Sequence, residues 1–377
     1  MAERVVLHIG TMKSGTSYLQ SVLARNLDAL RTAGYRFLGG AFRAQSRAVR
    51  EVLSEGSDTR WRALAERAHR PTGRVPLVSM EFLSFAREEA LDTLLRPLQG
   101  LDVDVVLTVR DQFRALPAQW QTYARNTGTA AWAAYLREIG AYRPVRGART
   151  RAFRTFHRAQ DVPTILDRWS GHPAVRSVTV VTVPPPGAPR EVLWDRFAVA
   201  VGIEAEMAFD GLKENVSLGY ASCDFLRRLN QELGLGRLGD PGQDFGELRP
   251  HRYTRVLRPI AREVLLPLRP DEGRPELDRA AAGYARLRNE EFRTTLRRGG
   301  LPIVGSLEDL PVHDDPAGRP ETVVPPSEEH VRRAALAVRQ HLLGETERGS
   351  VEGQSATLEE LVVEVARLLR PRLERPR

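Results

Sequence analysis

Near the N-terminus, glycine, lysine and hydroxyl residues lie close together in the segment HIGTMKSGTS, residues 8–17. An apolar run precedes the first glycine, and a helical pattern runs from about Thr16 to Thr32. A strand–turn–helix of this kind directs backbone N–H groups and a helix N-terminus at one point, which favours a phosphate group. The segment therefore predicts a phosphate-binding turn. In that turn Lys13 supplies positive charge, and Gly10 and Gly15 let the backbone approach the ligand.

The lysine in this turn is unusual for the chain, which contains 54 arginines and only two lysines, Lys13 and Lys213. This bias is typical of a GC-rich genome, so we interpret most of the arginines as solvated surface charges. A turn that merely reverses the chain explains the glycines but not a retained lysine flanked by hydroxyl residues. We therefore prefer phosphate binding to a purely structural turn.

The position of the lysine separates this loop from the Walker A motif, in which lysine follows the second glycine as G-K-[ST]. Here Lys13 comes before Gly15, in the order K-S-G-T-S. This order resembles the 5′-phosphosulfate loop of sulfotransferases that use 3′-phosphoadenosine-5′-phosphosulfate (PAPS), and HIGTMKSGTSYLQ is similar to bacterial members of that family. The resemblance implies that Lys13 contacts the 5′-phosphate and the oxygen that bridges to the leaving sulfuryl group. It also implies that Ser14, Gly15, Thr16 and Ser17 hold the 5′-phosphate. Gly10 and Thr11 complete the predicted cofactor-binding residues of the loop.

The second landmark of that family is a strand that ends in arginine, followed eight residues later by a serine, and the two bind the 3′-phosphate. Here the strand VVLTV is followed by Arg110, but position 118 is alanine. The loss of one hydrogen bond to a charged group costs about 1.5–3 kcal/mol. We therefore expect weaker donor binding, unless Arg114, Gln119 or Thr122 replaces the missing hydroxyl.

Later segments resemble an actinobacterial branch of sulfotransferase-like proteins, and the resemblance covers residues 4–310. In one of them, GLKENVSLGY, Lys213 and Asn215 are predicted cofactor-binding residues, although Asn215 is also suited to cap the next helix. The other segments are RDQFRALPAQWQ, QDVPTILDRW, VVTVPPPGAP and LWDRFAVAVG.

Sulfuryl transfer also needs a base that takes a proton from the acceptor. The strand VPLVSM brings Glu81 to the carboxyl edge of the predicted sheet, beside the phosphate turn. Glu81 resembles the glutamate of an S-x-E segment in related bacterial proteins, and a strand-end carboxylate with a structural role is an equal alternative. His8 is the other candidate base, although a hydrogen-bonded core histidine is its preferred interpretation.

Alternating β and helical patterns predict an α/β fold of three layers, like that of P-loop proteins, with a mainly parallel central sheet. We place this domain at residues 1–311, with a helix-rich acceptor and lid region at about 203–300. A linker and two amphipathic helices, predicted at Glu328–Leu343 and Leu358–Leu369, follow at 312–377, and these helices are a candidate surface for a homodimer.

The composition limits the possible partners. A net charge of +8 and a pI near 10.1 suit an anionic ligand. The basic residues are interleaved with acidic ones, so nucleic acid is not the expected partner. No apolar run is long enough to span a membrane, and Cys223 is the single cysteine, which excludes an internal disulfide. We expect a cytoplasmic enzyme.

The predicted function is transfer of a sulfuryl group from PAPS to a hydroxyl or amine of a small molecule or carbohydrate, without a metal. Two alternatives stay open. One is a non-catalytic, sulfotransferase-like nucleotide-binding protein, which Ala118 suggests. The other is a P-loop kinase or nucleotide hydrolase, in which Glu81 or Asp111 holds magnesium.

Overall fold

The computed structural model describes residues 4–40, 42–143, 150–212, 217–235, 251–313, 318–344 and 356–374. The chain forms two compact units, each built from three separate stretches of sequence. The sheet unit contains residues 1–115, 157–215 and 285–314, and the helical unit contains residues 116–156, 216–284 and 315–377.

The sheet unit is built on six strands. They are β1 (Arg4–His8), β2 (Tyr35–Phe37), β3 (Val75–Ser79), β4 (Asp102–Val109), β5 (Val175–Thr182) and β6 (Ile303–Val304). Their order across the sheet is β2-β3-β1-β4-β5-β6, and every neighbouring pair is parallel. The predicted α/β fold with a parallel central sheet is therefore confirmed.

The central strands are valine-rich and buried along nearly their whole length. Val5 to His8 of β1 and Val103 to Val109 of β4 are buried, as expected for parallel strands that helices cover on both faces. Val6 is aligned with Leu77 of β3 on one side and with Asp104 of β4 on the other. This register brings the carboxyl ends of the three strands to the same edge of the sheet.

Sixteen α-helices lie within the described ranges. They are α1 (Thr16–Arg25), α2 (Leu27–Thr32), α3 (Phe42–Arg50), α4 (Thr59–Ala68), α5 (Glu88–Leu95), α6 (Gln112–Arg125), α7 (Trp132–Glu138), α8 (Arg151–Gln160), α9 (Val162–Ser170), α10 (Glu191–Val201), α11 (Tyr220–Glu232), α12 (His251–Ile260), α13 (Arg269–Glu272), α14 (Arg279–Gly299), α15 (Glu328–Leu343) and α16 (Leu358–Glu374). In the sheet unit, α9 and α10 pack against β5, and α10 also packs against α1.

The two helices predicted at the C-terminus are present, and both belong to the helical unit. Helix α15 has the predicted bounds, whereas α16 continues to Glu374 instead of ending at Leu369. The two helices pack on each other and on α11. The Arg339 guanidinium contacts the Glu364 carboxylate at 2.6 Å, and Arg370 donates to the Glu232 carbonyl oxygen at 2.8 Å.

Several elements differ from the sequence-based expectation. One continuous helix was predicted between Thr16 and Thr32, but the chain breaks at Asn26, whose side chain donates to the carbonyl oxygens of Val22 and Ala208. Such local bonding competes with helix continuation. The prediction omitted β6 and the helices α7, α8 and α9, which are short or lie in polar sequence.

None of the helices in the described ranges is long and apolar enough to cross a membrane.

Candidate active site

The phosphate turn lies at the carboxyl end of β1, between β3 and β4. After β1 the chain crosses to β2 on one side of the sheet, whereas after β4 it crosses to β5 on the other side. The gap between β1 and β4 is therefore a topological switch point, where parallel α/β sheets bind ligands. The turn 10–15 follows β1 and Arg110 follows β4, so both predicted halves of the cofactor site begin at this gap.

Three residues give the turn its shape through positive φ angles. They are Gly10 (φ 108°), Lys13 (φ 64°) and Gly15 (φ 85°). A side chain at Gly10 would meet the backbone of Glu81 at 3.2 Å, and one at Gly15 would come within 2.3 Å of Leu193 Cδ2. Both positions need the positive φ that glycine allows; in addition, a side chain at Gly10 would press on the backbone of Glu81, whereas one at Gly15 would require the Leu193 side chain to move. Gly15 also provides no side-chain cap for α1, which begins at the next residue.

The turn is fastened to β4 by hydrogen bonds. The Thr11 N–H donates to the Thr108 carbonyl oxygen at 2.8 Å, and the Thr108 N–H donates to the Gly10 carbonyl oxygen at 2.5 Å. The Ser14 hydroxyl donates to the Thr11 carbonyl oxygen at 2.5 Å. The backbone of the turn is thus held in place before any ligand arrives.

Burial divides the turn residues into two groups. The side chains of Thr11, Ser14 and Thr16 are buried, with 1%, 0% and 4% of their surface exposed. Lys13 and Ser17 are half-buried. The half-buried side chains are those that a ligand can reach, so Ser14 and Thr11 are suited to hold the turn and to present their backbone to the ligand.

His8 connects the turn to the neighbouring strands through a buried network of hydrogen bonds. Its Nδ1 lies 2.7 Å from Ser79 Oγ on β3, and its Nε2 lies 3.2 Å from Thr108 Oγ1 on β4. Thr108 Oγ1 in turn lies 2.5 Å from Ser14 Oγ and 2.9 Å from the Gly10 carbonyl oxygen. His8, Ser14, Ser79 and Thr108 are all fully buried.

The proton positions in this hydrogen-bond network follow from the acceptors that each hydroxyl group faces. The Ser14 hydroxyl proton goes to the Thr11 carbonyl, and the Thr108 hydroxyl proton goes towards Ser14 Oγ and the Gly10 carbonyl. Thr108 Oγ1 must therefore accept from His8, which assigns the proton to Nε2 and leaves Nδ1 to accept from Ser79. Burial lowers the pKa of His8 to about 3. A neutral, enclosed imidazole with both nitrogens occupied fits the preferred interpretation of His8 as a core residue that steadies the turn.

Glu81 lies at the start of a 3₁₀ helix, Glu81–Phe85, directly after β3. Its carboxylate Oε2 accepts a hydrogen bond from Gln20 Nε2 at 2.9 Å, and the same nitrogen donates to the Ser79 carbonyl oxygen at 3.0 Å. Only 8% of its surface is exposed. Gln20, on α1, thus fixes the orientation of the candidate base next to the turn.

The electrostatic surroundings of Glu81 suit a proton acceptor. Burial raises the pKa of Glu81, while the hydrogen bond from Gln20 and the charges of Lys13 and Arg50 lower it in part. The Arg50 guanidinium also lies 4.7 Å from the centre of the Phe82 ring. A carboxylate with a raised pKa beside a lysine is a common arrangement at catalytic sites, although ion-pair networks produce it too.

Arg110 contacts the turn directly, since its Nη1 donates to the Lys13 carbonyl oxygen at 3.0 Å. A second contact reaches the turn from α8, where Gln160 Nε2 donates to the Met12 carbonyl oxygen at 2.7 Å. Gln160 is itself held by Gln112, whose Nε2 donates to Gln160 Oε1 at 3.2 Å. Arg110 therefore positions the backbone at Lys13, in addition to any contact with a ligand.

The residues considered as replacements for the missing hydroxyl at Ala118 are already engaged or enclosed. The Arg114 guanidinium forms an ion pair with Asp111. The Thr122 hydroxyl donates to the Ala118 carbonyl oxygen at 3.0 Å within α6. Gln119 is buried, and its Oε1 has no hydrogen-bond partner among the described residues.

Lys213 and Asn215, the remaining predicted cofactor residues, lie outside the described residues.

In comparisons with family models, with characterised proteins and with solved structures, nothing matched this chain.

Sequence reasoning missed several residues that shape the site. Gln20, Gln160 and Thr108 all hold the turn or the candidate base. Gln20 follows Thr16 by one helical turn, a spacing that places it on the same face of α1. Thr108 is the single hydroxyl residue in the apolar run VVLTV, which was the available signal for a buried polar contact.

Proposed function

We propose that this chain is a sulfotransferase that moves a sulfuryl group from PAPS to a hydroxyl or amine of a small-molecule or carbohydrate acceptor. The observation that supports it best is the arrangement at the switch point. Lys13, in the order K-S-G-T-S, lies in a turn braced by Arg110 and packed against Glu81. A lysine, an arginine and a carboxylate with a raised pKa are the groups that this reaction needs.

In the proposed reaction, Glu81 takes the proton of the acceptor hydroxyl as that oxygen bonds to sulfur. The bond between sulfur and the bridging oxygen breaks, and adenosine 3′,5′-bisphosphate leaves with the electron pair. Lys13 stabilises the negative charge that develops on the bridging oxygen. Gln20 keeps the Glu81 carboxylate in position through its 2.9 Å hydrogen bond.

Isothermal titration with adenosine 3′,5′-bisphosphate tests donor binding without knowledge of the acceptor. We expect heat of binding with the natural chain, and at least about tenfold weaker affinity for Lys13→Ala. Arg137→Ala is the control. Arg137 is an exposed residue of the helical unit, so this substitution removes one positive charge away from the phosphate turn and is expected to leave binding unchanged. Absence of binding at millimolar ligand would rule out both the sulfotransferase and the non-catalytic nucleotide-binding alternative.

A kinase or nucleotide hydrolase stays the alternative for a phosphate turn of this kind, and its reaction would depend on magnesium. Cytoplasmic location and a homodimer formed through the C-terminal helices stay predictions from the sequence.

A further inference from the structure

Gln160, the last residue of α8, belongs to a buried network of amide side chains in the sheet unit. Gln160, Gln112 and Asn289 each have no more than 1% of their surface exposed. The Gln112 N–H donates to Asn289 Oδ1 at 2.9 Å, and Asn289 Nδ2 donates to the Pro311 carbonyl oxygen at 2.8 Å. Gln112 Nε2 donates to Gln160 Oε1 at 3.2 Å. Because its oxygen is engaged in this way, the Gln160 amide turns its nitrogen to the phosphate turn.

The peptide units on both sides of Lys13 are oriented by side chains from outside the turn. Gln160 Nε2 donates to the Met12 carbonyl oxygen at 2.7 Å, and Arg110 Nη1 donates to the Lys13 carbonyl oxygen at 3.0 Å. In a planar trans peptide unit the C=O and N–H bonds point in opposite directions. Gln160 therefore directs the Lys13 N–H away from α8. In the same way, Arg110 directs the Ser14 N–H away from its own guanidinium.

The backbone of Lys13 needs this external support because it is left-handed, with a φ of 64°. A residue with a side chain disfavours that conformation, which persists only where the surrounding contacts hold it. A left-handed residue within a turn also gathers successive N–H groups into a concave surface that binds anions. Without the hydrogen bond from Gln160, the peptide unit before Lys13 can rotate. Lys13 can then return to a negative φ, and the Ser14 N–H turns with it.

We propose that Gln160 is a positioning residue of the phosphate turn, which holds the Met12 carbonyl back so that the Ser14 N–H faces a bound anion. The anions that suit backbone N–H groups at the start of a helix are phosphate and sulfate groups. This inference rests on the anion-binding turn of the proposed function, but it depends on neither the nucleotide nor the acceptor. The alternative role of the Gln160 amide is to satisfy a buried carbonyl group and to stabilise the fold alone.

Calorimetric titration of the full chain with inorganic pyrophosphate tests the inference, and adenosine 3′,5′-bisphosphate is titrated in parallel. Gln160→Met keeps an uncharged side chain of similar length but removes the donor, and we expect it to weaken pyrophosphate binding about tenfold. Asn26→Leu is the control, because it removes another buried amide that donates to two carbonyl oxygens, those of Val22 and Ala208. Asn26 follows the other end of α1, about 15 Å along the helix from the turn. We expect Asn26→Leu to lower the unfolding free energy, measured in urea, and to leave pyrophosphate binding unchanged.

A spectrum of one amide group provides a readout that a purely structural role of Gln160 would not change. Residues 13 and 14 form the only Lys-Ser pair in the sequence. A chain labelled with carbonyl-¹³C lysine and ¹⁵N serine therefore gives a single carbonyl-correlated amide resonance, that of Ser14. We expect the Ser14 amide proton to move downfield when pyrophosphate binds to the natural chain, and to move less in Gln160→Met at saturating pyrophosphate.

Equal pyrophosphate affinity of Gln160→Met and the natural chain would overturn the inference and leave the proposed function standing, and so would equal weakening by Asn26→Leu. Pyrophosphate binding that depends on Gln160, without any binding of the bisphosphate, would support the inference and contradict the proposed function. Absence of binding of both anions to the natural chain would contradict both. If Gln160→Met does not fold, Gln160→Asn decides, because the shorter side chain keeps an amide in the core but withdraws its nitrogen from the Met12 carbonyl.

Discussion

Replacing His8 with leucine removes both hydrogen bonds that join β3 and β4 through β1. Leucine fills a similar volume, so the main cost comes from the hydroxyl groups left behind. Ser79 Oγ loses its described partner, whereas Thr108 Oγ1 keeps Ser14 and the Gly10 carbonyl. A buried polar group without a partner costs about 1–3 kcal/mol, and the lost hydrogen bond between His8 and Thr108 adds about 1 kcal/mol. We therefore expect a loss of about 2–4 kcal/mol in unfolding free energy at pH 7.

The pH dependence of this loss is more diagnostic than its size. His8 has a pKa lowered to about 3 in the folded chain and an ordinary value near 6.5 when unfolded. The unfolded chain therefore binds one more proton between these values, and the folded chain loses stability as the pH falls below about 6.5. Between pH 7 and pH 5 the natural chain therefore loses about 2 kcal/mol of unfolding free energy, whereas the leucine variant, which lacks the titrating group, does not. We expect the difference between the two proteins to shrink by that amount at pH 5.

Urea unfolding at pH 7 and pH 5 measures both quantities. A double-mutant cycle with Ser79→Ala adds a second check, because removing both partners leaves fewer unsatisfied groups. We expect the double variant to be more stable than the sum of the two single losses predicts, by about 1–2 kcal/mol. A destabilisation by His8→Leu that is the same at both pH values would refute the picture of a buried, neutral histidine.

Three further predictions concern the turn and the base. Gln20→Ala removes the hydrogen bond that lowers the pKa of Glu81, so we expect the acid limb of the pH–rate profile to move to higher pH; an unchanged limb would argue against Glu81 as the base. An alanine at position 15 would have to adopt a φ of 85°, and its Cβ would lie 2.3 Å from Leu193 Cδ2. We therefore expect Gly15→Ala to lower the unfolding free energy, measured in urea, by about 1–3 kcal/mol. Gly187→Ala, at φ 86° with open space around the Cβ, should cost less, and equal losses would show that the contact with Leu193 does not matter. Arg110→Gln removes the hydrogen bond to the Lys13 carbonyl oxygen and is expected to weaken bisphosphate binding in calorimetry about tenfold, more than Arg114→Gln, whose guanidinium already pairs with Asp111.

The turn and the strands could be predicted because their signals are local. Valine-rich runs such as VDVVLTV are long enough to identify buried parallel strands, and the glycine spacing identifies the turn at the end of β1. Glu81 was placed correctly at the end of β3, next to the turn, because parallel strands end at a common edge.

The contacts that support the site could not be predicted, since they join residues far apart in the sequence. Gln160 reaches the Met12 carbonyl from α8, a helix that the sequence pattern did not reveal. Ser79 is an ordinary strand residue until the register aligns it with His8, and Thr108, two residues beyond Val106, the partner of His8 on β4, is reached only by the His8 ring. The break at Asn26 depends on a carbonyl group at Ala208, which a local pattern does not contain.

The most direct test of the central claim follows the sulfuryl group itself. The full chain is incubated with ³⁵S-labelled PAPS and a panel of hydroxyl- and amine-bearing small molecules and carbohydrates, in the presence of a magnesium chelator. We predict transfer of label from the donor to an acceptor, and a rate at least about 100-fold lower for Lys13→Ala, because that lysine stabilises the leaving oxygen. Transfer that persists at full rate in Lys13→Ala, or that requires magnesium, would contradict the account.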